Sequence, residues 1–544
     1  MIRLAVIGGG PKSLFALLAL HDRLTSASSR QITVDVFDPF PPGSGSVWRG
    51  EQPDVLRLNV NMGIVDASSS LSSENFSAWV RRVAPESPAE KYPQRVLVGR
   101  YLREQFQLLS QHGNMAVVHA PFVVTGVERA GSTWRVSGPF GSHHYDEVLL
   151  ATGHGLADAV PFTPFPGAAN QHALIGDYST LTTENIPAES TVWIRGAALT
   201  AYDVALLLTE GRGGSWQWPD GDCHDGAGVH YLASGGEPLH IVLSSRSGSL
   251  MYPKSESVPE RVSACVSHYK QPLREWGRQV RDEVPDCGVG LSGMWSILLD
   301  CAQECAHLMG STASALSLWR TAMTGRSADP GLDAGTLASA VTTAAGLRGS
   351  LAVNHYAAPI TTAWLWARVW SGLYADLVLV MDRLPRSNQA RKEFVRVAHN
   401  LERFAFGPPE LTALKLVALF DSGILRLATP GESPPHGAVL VDAVTPGPGA
   451  LHTAAPGGRP SSDIIAGLLH SGHVSVGDGD RGLLTDVDGT ALARDGSRTE
   501  SLAALGRPTE DPTLGHDTLN RGLHGEYGLW AQRVADRVID QFDS

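Results

Sequence analysis

Apolar residues fall along this chain in two rhythms. Short β-branched runs predict strands at Ile2–Ile7, Gln31–Asp38, Val117–Val127, Trp134–Ser137, His144–Leu150, Ser190–Arg195, His240–Arg246 and Ala438–Thr445. Longer segments with apolar positions near every 3.6 residues predict helices at Leu14–Leu20, within Phe76–Leu109, and at Trp295–Met309, Ala357–Met381, Asn388–Phe404 and Gly528–Phe542. Gly482–Gly489 reads as a strand and turn, and Leu502–Glu510 as a strand running into a loop. Strands alternating with helices predict an α/β protein built on parallel sheets. The strand–turn–helix start at Ile2 recurs at Ser190, and Ala438–Thr445 echoes Asp146–Gly153. Two dinucleotide-binding units of Rossmann type follow, the second inserted in the first. The expected boundaries are 1–185 with 471–544 for the first unit and 186–260 with 428–470 for the second. A mostly helical insertion over 261–427 is placed to close over a substrate.

The two turns carry the candidate chemistry. Ile2–Ile7 breaks into Gly8-Gly9-Gly10-Pro11-Lys12-Ser13 and opens a helix. Gly8 permits a tight turn, and Gly10 lets a pyrophosphate approach backbone N–H groups at the positive helix end. Ser13 stands at the third glycine position. Asp38 ends the second strand at the spacing where a carboxylate takes ribose hydroxyls. The Gly-, Pro- and Ser-rich loop after it offers Trp48, Gln52, Asn59 and Asn61 to cover a flavin; anchoring the loop and fixing turns is the alternative for the tryptophan and the asparagines. In the second unit Gly196 and Thr200 flank Ala198, which occupies a glycine position. Its strand ends in Ser245-Arg246-Ser247; an arginine there suits the 2′-phosphate of NADPH, where an acid would suit NADH.

At 544 residues the chain needs two or three domains, and its net charge of −12 argues against nucleic acid and anionic membranes. No stretch has the length and purity of a membrane span, and the start lacks a secretion-leader pattern. Five scattered cysteines predict reduced thiols in a cytoplasmic protein and no metal site, although Cys301 and Cys305 share a helical spacing. Asp222, His224 and Asp225 cluster in a polar excursion and read as solvated loop residues.

Taken together, Val6–Pro11, Phe37–Pro39, Gly43–Arg49, Tyr92–Leu102, Leu149–His154, Thr209–Gly214, Ser244–Gly248, Phe406–Pro409 and Gly506–Thr509 resemble the FAD/NAD(P)-binding oxidoreductases of actinobacterial type. That family is similar to the flavin-dependent N-hydroxylating monooxygenases, with L-aspartate N-hydroxylases among its nearer members. The resemblance implies an FAD site at Gly8, Gly10, Pro11, Lys12, Ser13, Asp38, Thr152 and Gly153, with Gly506, Arg507, Pro508 and Thr509 beside the flavin. It implies an NADPH site at Gly196, Ala198, Thr200, Ser245, Arg246 and Ser247. The expected reaction is hydroxylation of a small amino acid's primary amine by O₂, through a C4a-hydroperoxyflavin. The cofactor carries this chemistry, so no acid–base triad is expected. Gln52 and Lys254 are the catalytic candidates, and Arg49, Arg57 and Arg261 are candidates to fix substrate carboxylates. Other readings are an NADPH oxidase or a carbon- or sulfur-oxygenating flavoenzyme, an FAD-binding protein that has lost turnover, and a structural protein without cofactor. Homo-oligomerisation stays open.

Overall fold

The computed structural model describes residues 2–24, 32–85, 91–155, 170–172, 178–220, 226–285, 287–329, 340–445, 447, 449–454 and 458–543. The chain forms two compact units. The first comprises residues 1–161, 381–383 and 446–544; the second comprises 162–380 and 384–445 and is inserted in the first.

The first unit is built on a six-stranded sheet. Its order is Thr490–Leu492, Arg498–Ala504, Glu147–Leu150, Ile2–Ile7, Ile32–Phe37 and Ala116–Ala120. Every pairing except the first is parallel. Alternation in Ile2–Ile7 feeds two cores. Ile2, Leu4 and Val6 face one core, with Leu14, Phe15 and Leu17 of the helix Pro11–Arg23 and Trp530 and Val534 of the helix Glu526–Asp543. Ala5 and Ile7 face the other, with Trp134, Val136 and Tyr145. Those three residues lie on an antiparallel meander, Gly126–Ala130, Thr133–Gly138 and Gly141–Tyr145. A central strand buried on both faces reads as the continuous apolar run seen in the sequence. Pro11 occupies the first helical turn, where its missing N–H costs nothing.

The second unit has a five-stranded, all-parallel sheet ordered Leu425–Leu427, His240–Ser244, Thr191–Arg195, Val439–Asp442 and Asn170–His172. The segment 260–421 adds helices, including Ser292–Leu308, Thr362–Met381 and Asn388–Ala405. Trp295 and Trp370 stack at 6.5 Å with Phe394 beside them, and Trp364, Trp366 and Trp370 are buried. These tryptophans are packing residues.

Several elements differ from the sequence pattern. Val117–Val127 is two strands, because Pro121 and Phe122 break the run. Gly482–Gly489 holds isolated bridges and a turn, and the strand begins at Thr490. The units divide near residues 161 and 445, where the pattern put changes near 185 and 470. Asn170–His172 pairs with Val439–Asp442, and the helix Asp463–Ser471 packs Ile464, Ile465 and Leu468 into the first unit's second core. Asp222, Cys223, His224 and Asp225 lie outside the described residues. Among the described residues no helix is long and apolar enough to cross a membrane.

Candidate functional site

The carboxyl ends of the first unit's parallel strands converge on the glycine turn. Gly8 has φ +102°, and a Cβ there would stand 2.3 Å from the Ala151 carbonyl oxygen. Its N–H donates to the Phe37 carbonyl at 2.9 Å, while Ala151 N–H donates to the Ile7 carbonyl at 2.8 Å. The turn is therefore pinned between the ends of two neighbouring strands. Gly10 caps the helix, and among the described residues nothing lies within 4 Å of the place a Cβ would take. No acid occupies the first helical turn. Open space before a helix N-terminus without a carboxylate fits a phosphate-bearing group. Ser13 donates its hydroxyl to the Gly10 carbonyl at 2.7 Å, so it tightens the same turn.

Asp38 is buried and accepts from Gly9 N–H at 2.6 Å and from Phe40 N–H at 2.8 Å. Burial raises its pKa, against the pull of those two bonds. Its carboxylate thus joins the glycine turn to the loop that follows the second strand, and any ribose contact adds to these bonds. That loop lies close on the turn: a Cβ on Gly45 would stand 2.9 Å from Gly10 Cα. Sequence reasoning passed over Gly45, although the Gly43-Ser44-Gly45 spacing signals a close approach.

Within the loop the candidates separate. Gln52 is buried; its amide N–H donates to the Val47 carbonyl at 2.6 Å, and its Oε1 is enclosed without a hydrogen-bond partner among the described residues. An orphaned acceptor of this kind asks for a donor. Trp48 packs partly buried on the first core, as a loop anchor. Asn59 and Arg57 are half-buried, and Arg57 pairs its backbone with Gln94. Arg49 spreads its guanidinium over the Phe40 ring at 4.3 Å and donates to the Ser46 carbonyl. Asn61 is exposed, and its side chain caps the 3₁₀ turn Met62–Ile64 by accepting from Gly63 N–H at 2.8 Å.

Two further strand ends complete the first site. After Glu147–Leu150 come Thr152 and Gly153, the latter at φ +59° with none of the described residues within 4 Å of the place a Cβ would take. After Arg498–Ala504, Gly506 adopts φ +80° and the 3₁₀ turn Arg507–Thr509 begins. Pro508 and Thr509 are buried, and Arg507 pairs with Glu510 at 2.8 Å. Lys12 lies in the first turn of the helix Pro11–Arg23. It does not reach forward from the helix end; its Nζ donates to the Thr518 carbonyl at 2.8 Å, and its stem packs against Gly506. Burial lowers it to about 8. Around it lies a buried polar cluster that sequence reasoning missed. Glu510 is pushed up to about 7 by burial, and His516 and His524 stack at 4.0 Å. His154 is lowered to about 3 by burial and by Arg507. These residues lack a linear motif; loop packing assembles them.

The second unit repeats the turn. Gly196 has φ +132°, its N–H donates to the Ser244 carbonyl at 2.8 Å, and Ala443 N–H donates to the Arg195 carbonyl at 2.9 Å. Ala198 caps the helix Leu199–Leu208 with its methyl exposed. Thr200 lies within 3.4 Å of the Thr445 hydroxyl. At the second strand end, Arg246 and Ser247 are exposed, and Ser245, Ser247 and Ser249 are linked through their hydroxyls. Arg403 joins them through Ser249 and the Leu250 carbonyl, a contribution the sequence did not reveal. Arg246 and Arg403 both depress His399, after burial, and Arg326 acts on Arg403. The strand end is cationic and rich in hydroxyls, as a phosphate requires.

Lys254 lies nearby in chain order, lowered to about 8 by burial, with Arg368 adding to that shift and Glu256 opposing it. Arg368 lines a small pocket with Tyr252, Asp329, Asn354 and Trp364. Arg261 is exposed on the helix Glu260–His268, and its guanidinium meets the Met309 sulfur at 3.5 Å.

Residues 5–155 match the FAD-NAD(P)-binding family model, a segment containing the first turn, Asp38 and Thr152-Gly153. An L-aspartate N-monooxygenase (nitrosuccinate-forming) of Streptomyces cremeus is 27% identical over 331 residues, covering 50% of this chain and 47% of that protein. Its namesake in Streptomyces davaonensis is 28% identical over 286 residues, covering 45% and 43%. The chain thus spans about half the length of the curated relatives it matches. Among solved structures, the ornithine N-hydroxylase of Kutzneria sp. 744 covers 98% of each chain at 13% identity, with a TM-score of 0.46.

Proposed function

We propose that this chain is an FAD- and NADPH-dependent monooxygenase that hydroxylates the primary amine of a small, aspartate-like amino acid. The observation that carries the reading is the duplicated turn, in which Gly8 and Gly196 are held by the same pair of backbone bonds between parallel strands of two sheets. The first turn, with Gly10 open and Gln52 Oε1 lacking a donor, is suited to FAD. The second, followed by Arg246, Ser247 and Arg403, is suited to a nucleotide bearing a 2′-phosphate. The names of the relatives favour aspartate as the amino acid.

Reduced by NADPH, bound FAD would supply the activated oxygen. The chain's own residues do the rest. Asp38 fixes the glycine turn against the next loop. Gln52 presents a buried acceptor to an N–H donor. Lys254 and Arg368 supply the cations that a substrate carboxylate needs. Their positive field and the apolar walls around Tyr252 and Trp364 favour the neutral, nucleophilic form of a bound amine. A soluble cytoplasmic enzyme using small molecules and O₂ fits this chemistry.

The test is anaerobic mixing with NADPH at the flavin absorbance band, followed by O₂ and aspartate. Bleaching by NADPH and formation of an N-oxidised aspartate support the proposal. Bleaching with products only from other substrates moves the reading to another flavin oxygenase. A flavin that stays oxidised with both nicotinamides favours a protein that binds FAD without turnover, the alternative to which the Ala198 methyl points.

A further inference from the structure

The helical part of the second unit contains three thiols that the nucleotide sites do not use. Cys265 lies on the helix Glu260–His268. Cys301 and Cys305 stand one turn apart on the helix Ser292–Leu308, so both project from one face. Packing brings Cys265 to that face. The three sulfur atoms lie within 4.8 Å of one another, and Cys265 Sγ is 3.6 Å from Cys305 Sγ. Cys301 and Cys305 are fully buried and Cys265 is 6% exposed. All three are free thiols. Spacing in the sequence offered two ligands; the third comes from the fold.

These separations match a metal site more closely than a covalent bridge. A thiolate–metal bond of about 2.3 Å puts three sulfurs around one ion at about 4.0 Å from each other. A disulfide needs about 2.0 Å. The donors are all soft, and among the described residues no histidine or carboxylate joins the group. The neighbouring Glu304 is exposed and accepts from the Tyr269 hydroxyl at 2.9 Å. Structural zinc calls for four ligands, whereas copper(I) is selected by thiolates.

We propose that Cys265, Cys301 and Cys305 form a buried three-thiolate site for a soft metal ion of the copper(I) class. Each sulfur–metal bond replaces an S–H bond, and the proton leaves to solvent. Cross-linking the two helices through the ion would stiffen the helical part of the unit. This proposal is independent of the reaction proposed above.

The experiment uses the full chain with FAD, in a Cys223→Ser/Cys287→Ser background that removes the other thiols. Copper(I) is titrated anaerobically against a coloured copper(I) chelator. One equivalent held per chain, with X-ray absorption reporting three sulfur neighbours, is the expected result. Cys301→Ala and Cys301→Val, checked by circular dichroism and FAD content, should each weaken retention tenfold or more. Failure to hold copper(I), retention unchanged in a folded Cys301 variant, or fewer than three sulfur neighbours would overturn the proposal. Zinc(II) held as strongly in a parallel titration would overturn the copper assignment.

Discussion

In both units a strand runs into a glycine that donates its N–H to the end of the next strand in the sheet, Gly8 to Phe37 and Gly196 to Ser244. Two residues on, the units part: Gly10 in one, Ala198 in the other. The first glycine of each turn is required by the protein, because positive φ and a facing carbonyl leave little place for a side chain. A Cβ at residue 8 would stand 2.3 Å from the Ala151 oxygen, and one at residue 196 would stand 3.2 Å from the Ala443 oxygen. At residue 10 nothing among the described residues asks for glycine, since none lies within 4 Å of the place a Cβ would take. A glycine there is what the proposed FAD site calls for, since it lets a pyrophosphate approach the backbone. Ala198 caps the second helix with its methyl exposed, and on the proposed reading it bears on how closely a pyrophosphate can approach.

The comparison can be broken in descending steps. Gly8→Ala combines backbone strain with a clash and should cost about 4 kcal/mol, with loss of bound FAD; Gly196→Ala, with its wider gap, should cost about half as much. Denaturant unfolding checks both, and equal costs would end the argument. Beside the first turn, Glu510 carries a pKa raised to about 7 by burial. A raised acid stabilises the fold fully below its ordinary pKa near 4.5, and that contribution is lost as pH rises through 7. About 3 kcal/mol should disappear across this window, and Glu510→Gln should flatten the slope in unfolding experiments from pH 4.5 to 8. In the second unit Arg246→Ser should weaken NADPH binding by about 2 kcal/mol, roughly thirtyfold, and leave NADH unchanged. The smallest step is a methyl exchange. Gly10→Ala should weaken FAD, and Ala198→Gly should tighten NADPH, each about tenfold and with little change in stability. Equilibrium titration of each nucleotide reads both.

Much of this frame was legible in the chain. Ile2–Ile7 and its glycines announced themselves because a strand buried on both faces must be continuously apolar and the turn after it must lack side chains. The same logic found Ser190–Arg195 and Val439–Asp442 and the insertion of one unit in the other. What stayed hidden was set by tertiary contact. Lys12 sits in the motif yet turns into the Thr518 loop, and Asn61 uses its side chain on its own turn. Arg261 lies against the Met309 sulfur. Arg403 reaches the second strand end from more than 150 residues away, through Ser249. No local pattern encodes such meetings. The short strands Asn170–His172 and Leu425–Leu427 were missed for a related reason: three residues carry too little alternation to be seen without their partners.

The pairing of Arg498–Ala504 with Glu147–Leu150 has a consequence during synthesis. Leu502 lies beside Val148, although about 350 residues separate them. A ribosome adding 5–20 residues per second takes roughly 20–70 s to make the interval. Throughout that time the nascent first sheet has an open edge at Glu147–Leu150, next to its central strand, and lacks the Gly506 turn. The inserted unit is made within the same interval. Premature termination anywhere in it would leave the edge at Glu147–Leu150 unpaired, the kind of bare strand edge that pairs with other chains.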